Sequence, residues 1–113
     1  CMTRTASLNG APIRVFLVDD QTLVRQGVRS LLALAEGIEV IAEAADGRQA
    51  VEMIPQVRPD VVLMDMRMPA MSGLEALQAM GRAGTLPPTI ILTTFDDDQL
   101  VLAGIKAGAK GYL

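Results

Sequence analysis

Histidine is absent from the 113-residue sequence, and its one cysteine, Cys1, stands at the first position. Without histidine the chain has no Ser-His-Asp or Cys-His nucleophile system and no histidine-ligated zinc site. A single cysteine excludes an internal disulfide bond and a cysteine-ligated metal cluster. Oxygen atoms are therefore the ligands that the chain can offer to a metal ion.

Aromatic residues are scarce, at 3%, although hydrophobic residues make up 50% of the chain and charged residues 20%. This composition is typical of one globular domain with a core of aliphatic and methionine side chains. The net charge of −3 argues against nucleic acid binding by this segment, because such a surface needs a basic patch. No hydrophobic run is long enough to span a membrane, and the N-terminal stretch lacks the apolar core of a signal peptide. We expect a cytoplasmic domain with no membrane partner.

Short apolar runs alternate with helical patterns after residues 1–12, which are small and polar and are expected to form a flexible tail. Apolar and β-branched runs predict strands at 13–18, 39–44, 61–64 and 89–94, and a fifth that opens at 111–113. Helical periodicity and capping sequences predict helices at 22–35, after Asp46, after Ser72, and from about 96 to 107. Pro55 predicts a kink or a late start in the second helix. The alternation of strand and helix predicts an α/β fold, a doubly wound parallel five-stranded sheet over residues 13–113.

Three of the predicted strands end in polar residues. Asp19 and Asp20 follow the first strand, Asp65 follows the third, and Thr93 and Thr94 close the fourth. Because the carboxyl ends of parallel strands share one edge, three carboxylates are expected to converge there if the first strand is central. Crowded carboxylates repel one another unless one is protonated or a cation binds, and oxygen ligands favour Mg²⁺ or Mn²⁺. A carboxylate beside Mg²⁺, with a hydroxyl close by, suits phosphoryl transfer to an aspartate.

Each of these features has a simpler explanation when it is taken alone. The acidic pair after the first strand can cap a helix, Asp65 can belong to a turn, and the threonines can be ordinary strand residues. The methionines near the third strand are expected to fill the core. The coincidence of all three polar groups at strand ends on the same predicted edge favours the metal interpretation.

Three segments carry a family resemblance: VFLVDDQTLVRQGVRSLL, DVVLMDMRMPAMSGLEAL and IILTTFDDDQLVLAGIKAGAKGYL. Together they span most of the chain from Ile13 to Leu113, which resembles the receiver domain of two-component response regulators. The sequences LVRQG, FDDD and AGAKGYL are most similar to the subfamily with a LuxR-type helix-turn-helix output domain. The resemblance implies a flavodoxin-like receiver fold and a phosphorylated regulator rather than a turnover enzyme.

The resemblance also implies roles for residues around the acidic cluster. Asp65 is the implied phosphoacceptor, and Asp19 and Asp20 are implied to hold Mg²⁺ (or Mn²⁺) with Asp65, directly or through water. Arg67 is implied to give its backbone carbonyl to the metal, so its side chain is not prescribed. Met68-Pro69 and Gly73 are implied to shape the loop that follows the phosphoacceptor.

The implied conformational switch consists of Thr93, whose hydroxyl turns toward the acyl phosphate, and Tyr112, whose rotation follows it. The family also has a lysine at the end of the fifth strand and a last helix, and both are expected past Leu113. No lysine of this chain takes that catalytic role, and the domain is expected to be truncated before the last helix.

The implied partners are a sensor histidine kinase and a second copy of the chain in a homodimer, with DNA bound only through a C-terminal domain absent from this sequence. Two alternatives remain. One is a pseudo-receiver that only binds a partner. The other is an aspartate-nucleophile phosphatase of the haloacid-dehalogenase type, which requires a second aspartate where this chain has Arg67.

Overall fold

A computed structural model describes residues 11–68, 70–92 and 98–113. Its five strands are β1 (Ile13–Val18), β2 (Ile38–Ala44), β3 (Val61–Asp65), β4 (Thr89–Leu92) and β5 (Gly111–Tyr112). They form one sheet in the order β2-β1-β3-β4-β5, and every pair is parallel. This is the doubly wound parallel sheet that the alternation of elements predicted, in the flavodoxin-like arrangement that the family resemblance implied.

Four helices connect the strands: α1 (Thr22–Ala33), α2 (Gly47–Val57), α3 (Gly73–Ala83) and α4 (Asp98–Lys106). The capping box predicted at Ser72 is confirmed, and the one predicted at Asp46 forms in part, because the side chain of Gln49 accepts from the amide of Ala45 instead of that of Asp46. The side chain of Asp46 accepts a hydrogen bond from the backbone amide of Gln49 at 2.9 Å. Ser72 and Glu75 form a reciprocal capping box, in which each side chain accepts from the other residue's amide. These caps fix where α2 and α3 begin.

Pro55 does not delay the start of α2, because it lies in the last turn of the helix. The helix ends at Arg58, which has a left-handed backbone conformation with φ 54° and donates its amide to the carbonyl of Ile54 at 2.8 Å. The guanidinium of Arg14, on β1, donates to the carbonyls of Val57 and Arg58 at 2.8 Å and 2.5 Å. A side chain from the sheet therefore satisfies the carbonyl of Val57, the last residue of α2, and that of the residue after it.

The core lies on both faces of the sheet. On one face, side chains of β1 and β3 pack against α2 and α3, with the buried cluster Phe16, Val18, Ala44, Ala50, Ile54, Val62, Met64, Ala76 and Met80. On the other face, Val15, Leu17 and Leu63 pack against Val28 and Leu32 of α1. β1 and β3 are covered on both sides, which explains their continuous apolar sequences. Within the described ranges no helix has both the length and the apolar character needed to cross a bilayer.

Candidate functional site

The first and third strands end side by side. β1 and β3 are neighbours in the sheet, and Val18 is the register partner of Met64. The next residue along each strand is acidic, Asp19 in one and Asp65 in the other, and Asp20 follows directly. One carboxylate oxygen from each of the three aspartates lies within 4.8 Å of the others. The carboxyl edge of the sheet thus brings the three predicted carboxylates into one cluster.

Backbone amides fix the orientation of two of these carboxylates. Oδ1 of Asp19 accepts a hydrogen bond from the amide of Gln21 at 2.9 Å, and Oδ1 of Asp65 accepts from the amide of Arg67 at 3.2 Å. In the part of the chain that the structure describes, Oδ1 of Asp20 is buried and accepts no hydrogen bond. A buried carboxylate oxygen without a partner is costly, and a bound cation would satisfy it. The donor set, three carboxylates and no sulfur or imidazole, fits Mg²⁺ or Mn²⁺.

Burial raises the pKa of two of the aspartates. The pKa of Asp65 rises to about 6, mainly because its carboxyl is desolvated, and the charges of Asp19 and Asp20 raise it further. Hydrogen bonds from the amides of Arg67 and Met66 oppose this rise. Desolvation also raises the pKa of Asp19, against the opposing hydrogen bond from Gln21. Neighbouring carboxylates repel one another, and a proton or a cation between them relieves this repulsion.

Two glycines, Gly73 and Gly47, lie so close to the backbone of the loop after Asp65 that neither position has room for a side chain. The amide of Gly73, the first residue of α3, donates to the carbonyl of Met66 at 3.2 Å. A Cβ atom at Gly73 would lie 2.2 Å from the carbonyl oxygen of Asp65, and one at Gly47 would lie 2.6 Å from that of Met71. Glycine at both positions lets α2 and α3 approach the loop, so the phosphoacceptor candidate rests on a rigid support.

Arg25 belongs to the site although the sequence reasoning did not single it out. Its Nη1 donates to the carbonyl oxygen of Asp19 at 2.5 Å, its Nε pairs with Glu43 at 3.1 Å, and its Nη2 donates to the hydroxyl of Thr22 at 3.3 Å. Its position could have been predicted from helix geometry, because the side chains of a helix point back toward its N-terminus. Arg25 follows Gln21 by one turn and is therefore directed at the end of β1.

Of the remaining predicted residues, Pro69 and Thr93 fall outside the described residues and Tyr112 lies in β5. Tyr112 is the register partner of Ile91, one strand position before the end of β4, and its side chain is 60% exposed. Lys110 precedes β5 and donates its amide to the carbonyl of Thr89 at 2.7 Å, so it lies at the amino end of the strands, away from the carboxylates.

An open cleft of about 340 Å³ gives access to the carboxylates. Its lining combines Asp19 and Asp65 with apolar side chains of α1 and β4, and consists of Asp19, Gln21, Val24, Val28, Asp65, Leu92 and Leu113. A small anionic molecule could reach the cluster through this opening once a cation had offset the negative charge.

Known proteins match both the sequence and the structure. A family profile described as the response regulator receiver domain matches residues 15–113. The nitrate/nitrite response regulator protein NarP of Escherichia coli (strain K12) is 48% identical over 102 residues, which cover 90% of this chain and 47% of that protein. This chain therefore spans about half the length of the curated relatives it matches.

Solved structures of response regulators are similar to this chain as well. A LuxR-family two-component response regulator from Aurantimonas sp. SI85-9A1 superimposes with a TM-score of 0.83 at 34% identity, over 90% of this chain and 73% of that one. A chain of the CheX–CheY–BeF3–Mg²⁺ complex from Borrelia burgdorferi gives a TM-score of 0.83 at 28% identity, over 93% of this chain and 79% of that one.

Proposed function

This chain belongs to the response regulator receiver domain family, in its LuxR-type branch, and from this premise we propose that it is a phosphorylation switch whose acceptor is Asp65. The convergence of three carboxylates at one end of the sheet supports the proposal most strongly, together with a buried oxygen of Asp20 that has no partner among the described residues. One similar structure is a complex with BeF3 and Mg²⁺, which makes Mg²⁺ the cation to test first.

Asp19, Asp20 and Asp65 would hold the cation, directly or through water, together with the backbone carbonyl of Arg67. Mg²⁺ at this place would neutralise the phosphate oxygens of the donor. Mn²⁺ offers a similar preference for oxygen ligands and would take the same place.

Asp65 acts as the nucleophile in this proposal. One of its carboxylate oxygens attacks the phosphorus of the donor, the bond from phosphorus to the leaving group breaks, and an acyl phosphate forms. A pKa of about 6 leaves most of the Asp65 carboxyl ionised at neutral pH, as the attack requires. The amide of Arg67, hydrogen-bonded to Oδ1, keeps the carboxylate from rotating.

The new dianionic group would then change the conformation, and so the binding preference, of the surface formed by β4, α4 and β5. Thr93, which follows β4, is the proposed hydroxyl that turns toward the acyl phosphate. Tyr112 is proposed to rotate when Thr93 moves. It pairs with Ile91 of β4, and the exposed side chain of Tyr112 has room to rotate at the surface. No lysine of this chain is assigned a catalytic role.

The phosphate donor in the cell would be a sensor histidine kinase, and the proposed output is homodimerisation and control of transcription. NarP is by name a nitrate/nitrite response regulator. DNA contact would come from a C-terminal domain outside this sequence, in a cytoplasmic protein. The receiver itself would be a regulator and not a turnover enzyme.

The test is phosphorylation by acetyl phosphate in the presence of Mg²⁺, followed by intact-protein mass spectrometry. We expect one phosphoryl group on the wild-type chain, none on Asp65→Ala, and unchanged labelling on Glu52→Gln, which alters an exposed carboxylate of α2. Labelling of Asp65→Ala to the wild-type extent would reject Asp65 as the acceptor. Sustained release of phosphate from phosphomonoesters would instead favour the phosphatase alternative.

A further inference from the structure

The side chain of Arg25 joins three elements beneath the acidic cluster. It is largely buried, with 16% of its side chain exposed. Its guanidinium contacts the carbonyl of Asp19 at the end of β1, the carboxylate of Glu43 on β2 and the hydroxyl of Thr22 at the start of α1. A planar guanidinium with several fixed donors suits such a three-way junction, whereas a lysine ammonium does not.

The carbonyl that Arg25 binds belongs to the peptide group that joins Asp19 to Asp20. The amide of Asp19 is also held, by the carbonyl of Ala44 at 3.1 Å. With the peptide groups on both sides of its Cα fixed, Asp19 has little backbone freedom, and the direction in which Asp20 leaves the strand is restricted as well. The hydrogen bond from Arg25 therefore contributes to the geometry of both carboxylates, together with the bonds to Ala44 and from Gln21.

Arg25 does this without occupying the oxygens that a cation needs. In the described ranges, no hydrogen bond of its guanidinium goes to a carboxylate of Asp19, Asp20 or Asp65. A guanidinium paired with those carboxylates would compete with a cation. Glu43 holds Arg25 from behind, and Arg29 pairs with the second oxygen of Glu43.

We infer that Arg25 is a positioning residue for the divalent cation, since it holds the peptide between Asp19 and Asp20 from outside the carboxylate cluster. This inference rests on the proposed function, because it concerns the same cation site. Removing a side chain that orients metal ligands from behind costs metal affinity even though the ligands themselves are unchanged.

The experiment measures the Mg²⁺ dissociation constant by isothermal titration calorimetry, at a temperature where circular dichroism shows each variant folded. We expect Arg25→Gln to weaken Mg²⁺ binding about tenfold. Arg25→Lys keeps the charge but cannot reach three acceptors, so it should recover only part of this loss. Arg29→Gln, the matched control, loses a contact with Glu43 but none with Asp19, and should bind Mg²⁺ like the wild type.

A purely structural role for Arg25 gives a different pattern. In that case Arg25→Gln and Arg29→Gln both lower the melting temperature, and neither changes the Mg²⁺ affinity of the folded protein. Wild-type Mg²⁺ affinity in folded Arg25→Gln, or in Arg25→Lys, would overturn the inference about Arg25. Neither result would contradict the cation site itself. If Arg25→Gln does not fold, Arg25→Lys decides by the same criterion. A wild-type chain that binds no Mg²⁺ would overturn the proposed function and the inference together.

Discussion

Replacing Gly73 by alanine tests whether the close approach of α3 to β3 supports the site. The added Cβ would lie 2.2 Å from the carbonyl oxygen of Asp65 and 2.8 Å from the Cα of Met66. Both neighbours are backbone atoms, which cannot rotate away as the end of a side chain could. Since real Cβ atoms do not come within 3.0 Å of such atoms, α3 and the end of β3 must separate by about 0.8 Å.

The cost can be estimated from similar overpacking in protein cores, which is about 1–3 kcal/mol. For a domain of this size, 1 kcal/mol corresponds to about 4 °C in the melting temperature. We therefore expect Gly73→Ala to melt about 4–12 °C below the wild type. The carbonyl that must move belongs to Asp65 itself, so Mg²⁺ binding should weaken as well.

Gly27→Ala is the matched control for this substitution. Gly27 lies within α1, and a Cβ atom there would have no neighbour within 4 Å. Alanine is a better helix former than glycine, so this variant should be more stable by about 0.5–1 kcal/mol. Thermal melts followed by circular dichroism, together with Mg²⁺ titration, compare the two variants. A Gly73→Ala protein with wild-type stability and Mg²⁺ affinity would refute the proposed packing of α3 against β3.

Three further predictions concern the cap of α3 and the titration of the cluster. Ser72→Ala removes the acceptor for the amide of Glu75 and should cost about 1 kcal/mol, measured by urea unfolding, while an unchanged midpoint would count against the cap. The pKa of Asp65 is about 6 in the folded state and 3.8 in the unfolded state, so the folded state binds this proton more tightly. Without metal, the free energy of unfolding should therefore fall as the pH rises from about 4 to about 6. Asp65→Asn should remove that part of the pH dependence and raise the metal-free melting temperature at pH 7.5, and a variant that keeps the wild-type profile would exclude Asp65 as its source. Mg²⁺ should raise the melting temperature more at pH 7.5 than at pH 5, since protons compete for the same carboxylates, and an equal rise at both pH values would contradict this.

The order of the elements could be predicted from the sequence because several boundaries have a local cause. Strand β3 is a continuous apolar run that ends at Asp65, and Ser72 with Glu75 forms a capping box that needs no tertiary contact. The position of the three aspartates followed from one topological rule, that parallel strands present their carboxyl ends on the same edge. The rule also required the first strand to be central, beside the third, which the strand order confirms.

The contacts that support the cluster could not be predicted, because they join residues far apart in the chain. Arg25 of α1 pairs with Glu43 of β2, and the packing of this helix against β2 brings the two side chains together. The end of α2 depends on Arg14, more than forty positions away, which binds its last carbonyls. Pro55 was expected to disturb α2 and does not delay its start, since it lies in the last turn. Such features depend on tertiary geometry, which single-sequence patterns do not contain.

A crystal grown with MnCl2 would show whether Asp19, Asp20 and Asp65 hold one divalent cation between them. Anomalous scattering locates the manganese ion without reference to any assumed ligand. We expect one strong peak at the carboxyl edge of β1 and β3, with each carboxylate bound at about 2 Å or through one water molecule. A manganese ion bound elsewhere, with no peak among these three carboxylates, would exclude the proposed cation site.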